Sequence, residues 1–81
     1  MKVTLYSRQG CHLCDDAREE ILRIVDGSGE VVLRELDIEA DEGLLRTYLE
    51  RIPVVEVDGR VVSELIFDGE AFRRALHTVD P

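Results

Sequence analysis

The strongest constraint on the fold is that this chain joins its apolar runs in two different ways. Val3-Thr4-Leu5-Tyr6 and Val31-Val32-Leu33 read as strands, and the stretch between them, from about Cys11 to Val25, has helical spacing. There Cys14, Ala17, Ile21, Ile24 and Val25 fall at i, i+3, i+7, i+10 and i+11, which is one face of a helix. Two strands joined through a helix require a parallel crossover. Further along, Val54, Val55 and Val57 are separated from Val61-Val62 by Asp58-Gly59, a two-residue hairpin signal that makes those strands antiparallel. Both connections together predict a mixed sheet flanked by helices.

The remaining punctuation completes the order. Gly27-Ser28-Gly29 stops the first helix, and the second strand runs from Val31 to Ile38, its continuous apolar middle predicting burial on both faces. Asp41 can cap a short helix carrying Leu44, Leu45, Tyr48 and Leu49 on its apolar stripe. The hairpin leads on to Leu65-Ile66-Phe67, and Asp68 can cap a last helix that turns Phe72, Ala75, Leu76 and Val79 inward. The expectation is an α/β protein of order β-α-β-α-β-β-α. Its 81 residues make one small domain, residues 1–81, near the lower size limit for folding unaided.

With 18 acidic and 10 basic residues the chain carries a formal charge of −8. Such a surface repels phosphate backbones and anionic lipid, which argues against nucleic-acid and membrane-surface partners and leaves a basic partner open. The strand Val3-Thr4-Leu5-Tyr6 begins almost at once, and no apolar stretch is long enough for a signal peptide or a membrane span. The expected setting is reducing and cytoplasmic, with the chain as a monomer.

Within that frame the only two cysteines, in Cys11-His12-Leu13-Cys14, sit where the first strand gives way to the first helix. A bridge over so short a loop would stabilise by roughly 2 kcal/mol, against about 3 for a fifteen-residue loop, so it suits a reaction better than a brace. In a reducing compartment such a pair is catalytic or metal-binding, and a C-x-x-C beside a βαβ pattern reads as a thiol–disulfide redox site. Cys11 lies at the helix start, where unpaired N–H groups and the positive dipole end favour a thiolate. Cys14 lies on the apolar stripe and is expected to be buried, so Cys11 is assigned as the nucleophile and Cys14 as the resolving thiol. Arg8 and a protonated His12 would favour the thiolate, whereas Asp15 and Asp16 would oppose it. A metal site would need His12 and His77 as well, but His12 lies between the cysteines and cannot readily join both at one tetrahedral ion, so no metal is expected. A metal-binding module and a non-catalytic interaction domain are the readings from other classes.

The run Tyr6-Ser7-Arg8-Gln9-Gly10-Cys11-His12-Leu13-Cys14, with Ile52-Pro53-Val54-Val55 and Asp58-Gly59, resembles the glutaredoxin-like branch of the thioredoxin superfamily over essentially the whole chain. The resemblance implies a thioredoxin-like fold, a four-stranded mixed sheet flanked by three helices. It implies a dithiol that reduces protein or small-molecule disulfides without a bound cofactor, regenerated by a reductase or by glutathione as co-substrate. It places a cis Pro53 beside the cysteines, with the Ile52 backbone free to pair with a substrate chain and with Arg8 and His12 at the substrate site. The chain departs from the family where His12 replaces the usual proline and where Ser63-Glu64 replaces a glycine pair that helps hold glutathione. Glu64 puts negative charge where an anionic tripeptide would sit, while Arg51, just before Ile52-Pro53, offers some attraction.

Overall fold

β1 (Lys2–Ser7) is the strand from which the rest of the sheet is built, because it is covered on both faces: Val3, Thr4, Leu5 and Ser7 are all buried. The computed structural model describes residues 1–77. β1 is followed by α1 (His12–Val25), β2 (Val32–Asp37), a 3-10 turn (Ile38–Ala40), α2 (Glu42–Tyr48), β3 (Val54–Val57), β4 (Arg60–Glu64) and α3 (Gly69–His77). The sheet order is β2-β1-β3-β4. β1 and β2 are parallel, while β1–β3 and β3–β4 are antiparallel, so both kinds of connection coexist as expected.

The principal core forms on one face of the sheet. Val3 and Leu5 of β1 and Val55 and Val57 of β3 meet Ala17 and Ile21 of α1 and Phe72 of α3. The period-two alternation of the strands supplies one half and the helical stripe the other. Phe67 closes the edge of this core, its ring tilted against Phe72 with centroids 5.5 Å apart. On the opposite face Tyr6 stacks on Tyr48 of α2 at 4.4 Å, and its hydroxyl donates to Glu56 at 3.2 Å. Burial, then the Glu56 carboxylate, pushes the Tyr6 phenol up to about 12.

The β3–β4 turn shows why Asp58-Gly59 stands there. Both residues have positive φ, 49° and 87°, the backbone of a type I′ turn, which asparagine, aspartate and glycine tolerate best. Asp58 also clips the turn to the start of β1. Its Oδ1 accepts the Lys2 N–H at 2.9 Å, and its own N–H donates to the Lys2 carbonyl at 2.8 Å.

Four expectations need correction. β2 is an edge strand rather than one buried on both faces, and Val32 is 62% exposed. The parallel crossover carries it to one side of β1, and β3 fills the other, so an apolar run alone does not locate a strand within the sheet. Ile38 belongs to the 3-10 turn, where it is fully buried. β4 stops at Glu64 instead of running into Leu65-Ile66: Leu65 has φ 64°, and Ser63 Oγ accepts the Asp68 N–H at 2.9 Å, turning the chain toward α3. Leu49 lies at the exposed C-cap of α2 rather than on a covered stripe. Asp68 does cap α3, accepting the Ala71 N–H at 3.0 Å, and the expected inward place of Val79 lies outside the described residues.

Candidate active site

The cysteine pair is delivered by the junction of β1 and α1. Gly10, at φ 81°, takes the left-handed conformation that redirects the chain from strand to helix. Cys11 is then the N-cap of α1: its Sγ accepts the Cys14 N–H at 3.1 Å, and its carbonyl accepts the Asp15 N–H at 3.1 Å. A sulfur in this position stands among the first amide groups of the helix, the arrangement that favours negative charge. Cys14 lies one turn on, fully buried on the stripe with Ala17 and Ile21, whereas Cys11 is half-buried. The Cα atoms are 5.2 Å apart, and the two sulfurs are within bonding reach as a disulfide.

The strand register brings three further segments to this end of the sheet. β3 runs antiparallel to β1 with Tyr6 opposite Val54, so Ile52-Pro53 enters beside the end of β1. β4 pairs with β3 at Val54–Glu64, which brings Glu64 and Leu65 to the same edge. The Ile52–Pro53 bond is cis and Pro53 is fully buried. The Ile52 N–H donates to the Tyr48 carbonyl at 3.1 Å, so this amide is used within the chain and only the Ile52 carbonyl is left for an incoming strand. The Arg51 carbonyl accepts the Leu65 N–H at 3.0 Å, tying the proline segment to the end of β4.

The charged residues near the pair are mostly matched. Arg8 forms an ion pair with Glu39 of the 3-10 turn at 2.8 Å, so its guanidinium is already committed. Arg18, two turns into α1, grips Glu35 of β2 with both Nε and Nη2, at 2.7 and 2.5 Å, and reaches Asp15 at 3.0 Å. Ser7 donates to the same Glu35 carboxylate at 2.6 Å. The Arg18 and Ser7 bonds hold the Glu35 carboxyl below the usual carboxylate range, against the opposing effect of its partial burial. Arg51 pairs with Glu64 and lies over the Tyr48 ring, 5.1 Å from its centroid. The pairing holds the Glu64 carboxyl down and the Arg51 guanidinium up.

Of the residues singled out in the sequence, Cys11, Cys14, His12, Arg8, Ile52 and Pro53 therefore belong to loops and termini at one end of the sheet, with His12 exposed at the first position of α1. Sequence reasoning missed Ser7, Arg18, Glu35, Glu39 and Tyr48, whose partners lie far away in the chain. A shallow cavity of about 620 Å³ lies beside β1 and α1, lined by Arg8, Gly10, Asp15, Arg18 and Glu35. Another of about 640 Å³, between α1 and α3, is lined by Glu20, Phe67 and Arg73 and contains neither cysteine. Among the described residues no group of three or more His, Cys, Asp or Glu side chains is placed to hold a metal ion. No helix among them is long and apolar enough to cross a membrane.

Comparison with known proteins agrees with this geometry. The chain is similar to the structural-genomics target XcR50 from X. campestris, at 32% identity and TM-score 0.77, with 96% of this chain and 99% of the other covered. It is similar to Ne2328 from Nitrosomonas europaea at 28% identity and TM-score 0.71, covering 90% and 87%. A mutant of the thioredoxin-like protein BC3987 matches at 24% identity and TM-score 0.64, covering 93% and 99%, and shows the fold alone. No curated protein matches the chain. A thioredoxin-like fold with a cysteine pair at disulfide distance points to redox function. The profile described as Glutaredoxin-like domain (DUF836) matches residues 2–77, and the chain belongs to that family.

Proposed function

We propose that this protein is a dithiol–disulfide oxidoreductase in which Cys11 is the nucleophile and Cys14 the resolving thiol. The observation that carries the proposal is the asymmetry of the pair: Cys11 is half-buried at a helix N-cap, and Cys14 is fully buried one turn away. The Cys11 thiolate attacks one sulfur of a substrate disulfide, forming a mixed disulfide and releasing one substrate thiolate. Cys14 loses its proton and attacks Cys11 Sγ, releasing the second substrate thiol and leaving the Cys11–Cys14 disulfide. Two electrons and the Cys14 proton have then passed to the substrate, and the thiolate released first takes its proton from water.

In this reading a substrate strand pairs with the Ile52 carbonyl next to the cis Pro53, and His12, exposed at the start of α1, and Arg8, paired to Glu39, contribute to the substrate site. Substrates are disulfides of proteins or small molecules, and a reductase or glutathione supplies the electrons that return the pair to the dithiol. The reaction calls for no bound cofactor, and it suits a monomer in the cytoplasm.

Substitution of each cysteine tests the assignment. Cys11→Ser is expected to lower disulfide reduction about a thousandfold or more. Cys14→Ser is expected to accumulate mixed disulfides visible by mass spectrometry. Full dithiol activity in Cys11→Ser would refute the mechanism. Coupling turnover in turn to glutathione with its reductase and to a thioredoxin reductase identifies the electron donor.

A further inference from the structure

Each arginine at the cysteine end of the molecule already has a carboxylate. Arg8 has Glu39 at 2.8 Å, Arg18 has Glu35 at 2.5 Å and Asp15 at 3.0 Å, and Arg51 has Glu64. These cations stand in the loop before Cys11, in the second turn beyond it, and beside Ile52-Pro53. They are the positive groups an anionic substrate would use. Against them the same end also carries the exposed carboxylates of Asp16, Asp37 and Glu50, and the whole chain is at −8. The Arg51–Glu64 pair is 38% exposed on each side, so Arg51 is open to solvent yet satisfied from within the chain. An approaching carboxylate would have to displace Glu64, whereas an approaching ammonium meets surplus negative charge.

We propose that the site selects disulfides by charge, favouring those that carry positive groups over those that carry carboxylates, with Glu64 setting the preference by occupying Arg51. This rests on the dithiol reading above and adds to it a substrate class and a specificity residue. The register of β3 and β4 is what makes the occupation local: Glu64 lies opposite Val54, directly after the proline segment that Arg51 introduces. The Leu65 N–H bond to the Arg51 carbonyl holds the two segments together independently of the side chains. Neutralising Glu64 therefore frees a guanidinium without unfastening the backbone around it.

The test uses full-length protein, reduced chemically and freed of reductant, in single-turnover reactions with three small disulfides. These are cystamine (cationic), hydroxyethyl disulfide (neutral) and dithiodipropionate (anionic), each rate divided by that of dithiothreitol with the same compound. At low ionic strength cystamine is expected to react about tenfold faster, and dithiodipropionate about tenfold slower, than the neutral compound, with both ratios collapsing toward unity near 0.5 M salt, where the screening length is only about 3–5 Å. Glu64→Gln is expected to raise the anionic-to-neutral ratio about fivefold. Glu70→Gln, which removes the same charge from α3, is expected to leave that ratio unchanged. A neutral disulfide that reacts while the three ratios show no charge order overturns the selection. Charge order that Glu64→Gln and Glu70→Gln shift equally overturns the role of Glu64. No reaction with the neutral disulfide overturns the dithiol reading itself.

Discussion

The apolar face beneath α1 and α3 and the charged end around Cys11 are assembled by different physics. In the first, Val3, Leu5, Ile21, Val55 and Phe72 exclude water completely, and burying one side chain of that size is worth about 1.5–3 kcal/mol. In the second, Arg8 and Glu39 remain 39% and 43% exposed, and pairs so placed contribute about 0–1 kcal/mol. The helix that joins the regions serves both, since α1 carries Ala17 and Ile21 into the core and presents Cys11 at its N-cap. Stability thus comes from the face and chemistry from the end, so charges at the end can be set by the substrate with little effect on the fold.

That separation can be broken experimentally. The largest effect is expected from Cys11→Ser, which should remove activity while shifting the thermal midpoint, measured with both proteins reduced, by no more than a few degrees; a large loss of stability would show that the end also carries the fold. Next comes Phe72→Ala, which removes a fully buried ring and is expected to cost about 3–5 kcal/mol in urea unfolding. Protein that remains folded should keep its activity per folded molecule, and a specific loss of rate would contradict the division. Smaller is the effect of Glu35→Gln, which weakens the bonds from Ser7 and Arg18 and is expected to cost about 1 kcal/mol at neutral pH after allowance for exposure. The sign with pH follows from the lowered Glu35 carboxyl. Its contribution is complete above the unfolded-state value of about 4.3 and is lost as pH falls through the lower folded value. The stability difference between wild type and Glu35→Gln should therefore shrink in acid, and a difference that grew there would be incompatible with the assignment.

Local signals made much of this legible in the sequence. The spacing of Cys14, Ala17 and Ile21 identified α1 and its buried face, and Asp58-Gly59 identified the hairpin. Cys11 at the helix start followed from the same spacing. What could not be read were contacts between distant segments. Nothing in the vicinity of Arg8 announces Glu39, and nothing near Arg18 announces Glu35. Arg51 and Glu64 were both visible as opposing charges, but only the antiparallel register of β3 and β4 makes them partners. The misplacement of β2 has the same origin, because Val31-Val32-Leu33 is equally apolar at the edge or the centre of a sheet. Only the insertion of β3 on the far side of β1 decides between them.

The clip between Lys2 and Asp58 also divides the molecule in a way its secondary structure does not suggest. β1, α1 and β2 form one unit of nearby chain, and β3, β4 and α3 form another. The strand seam of long sequence separation, Val3–Val57 through Tyr6–Val54, joins them on the sheet, with the Lys2–Asp58 bonds at its end, and Phe72 packs across onto Ala17 and Ile21. Closing that seam carries a large loop-closure cost, and neither half holds the whole core without the other. The chain should accordingly tolerate being cut at the exposed Glu50 and reassembled from two peptides. Recovery of the folded circular-dichroism signal on mixing, and not from either piece alone, would show two halves that fold only together.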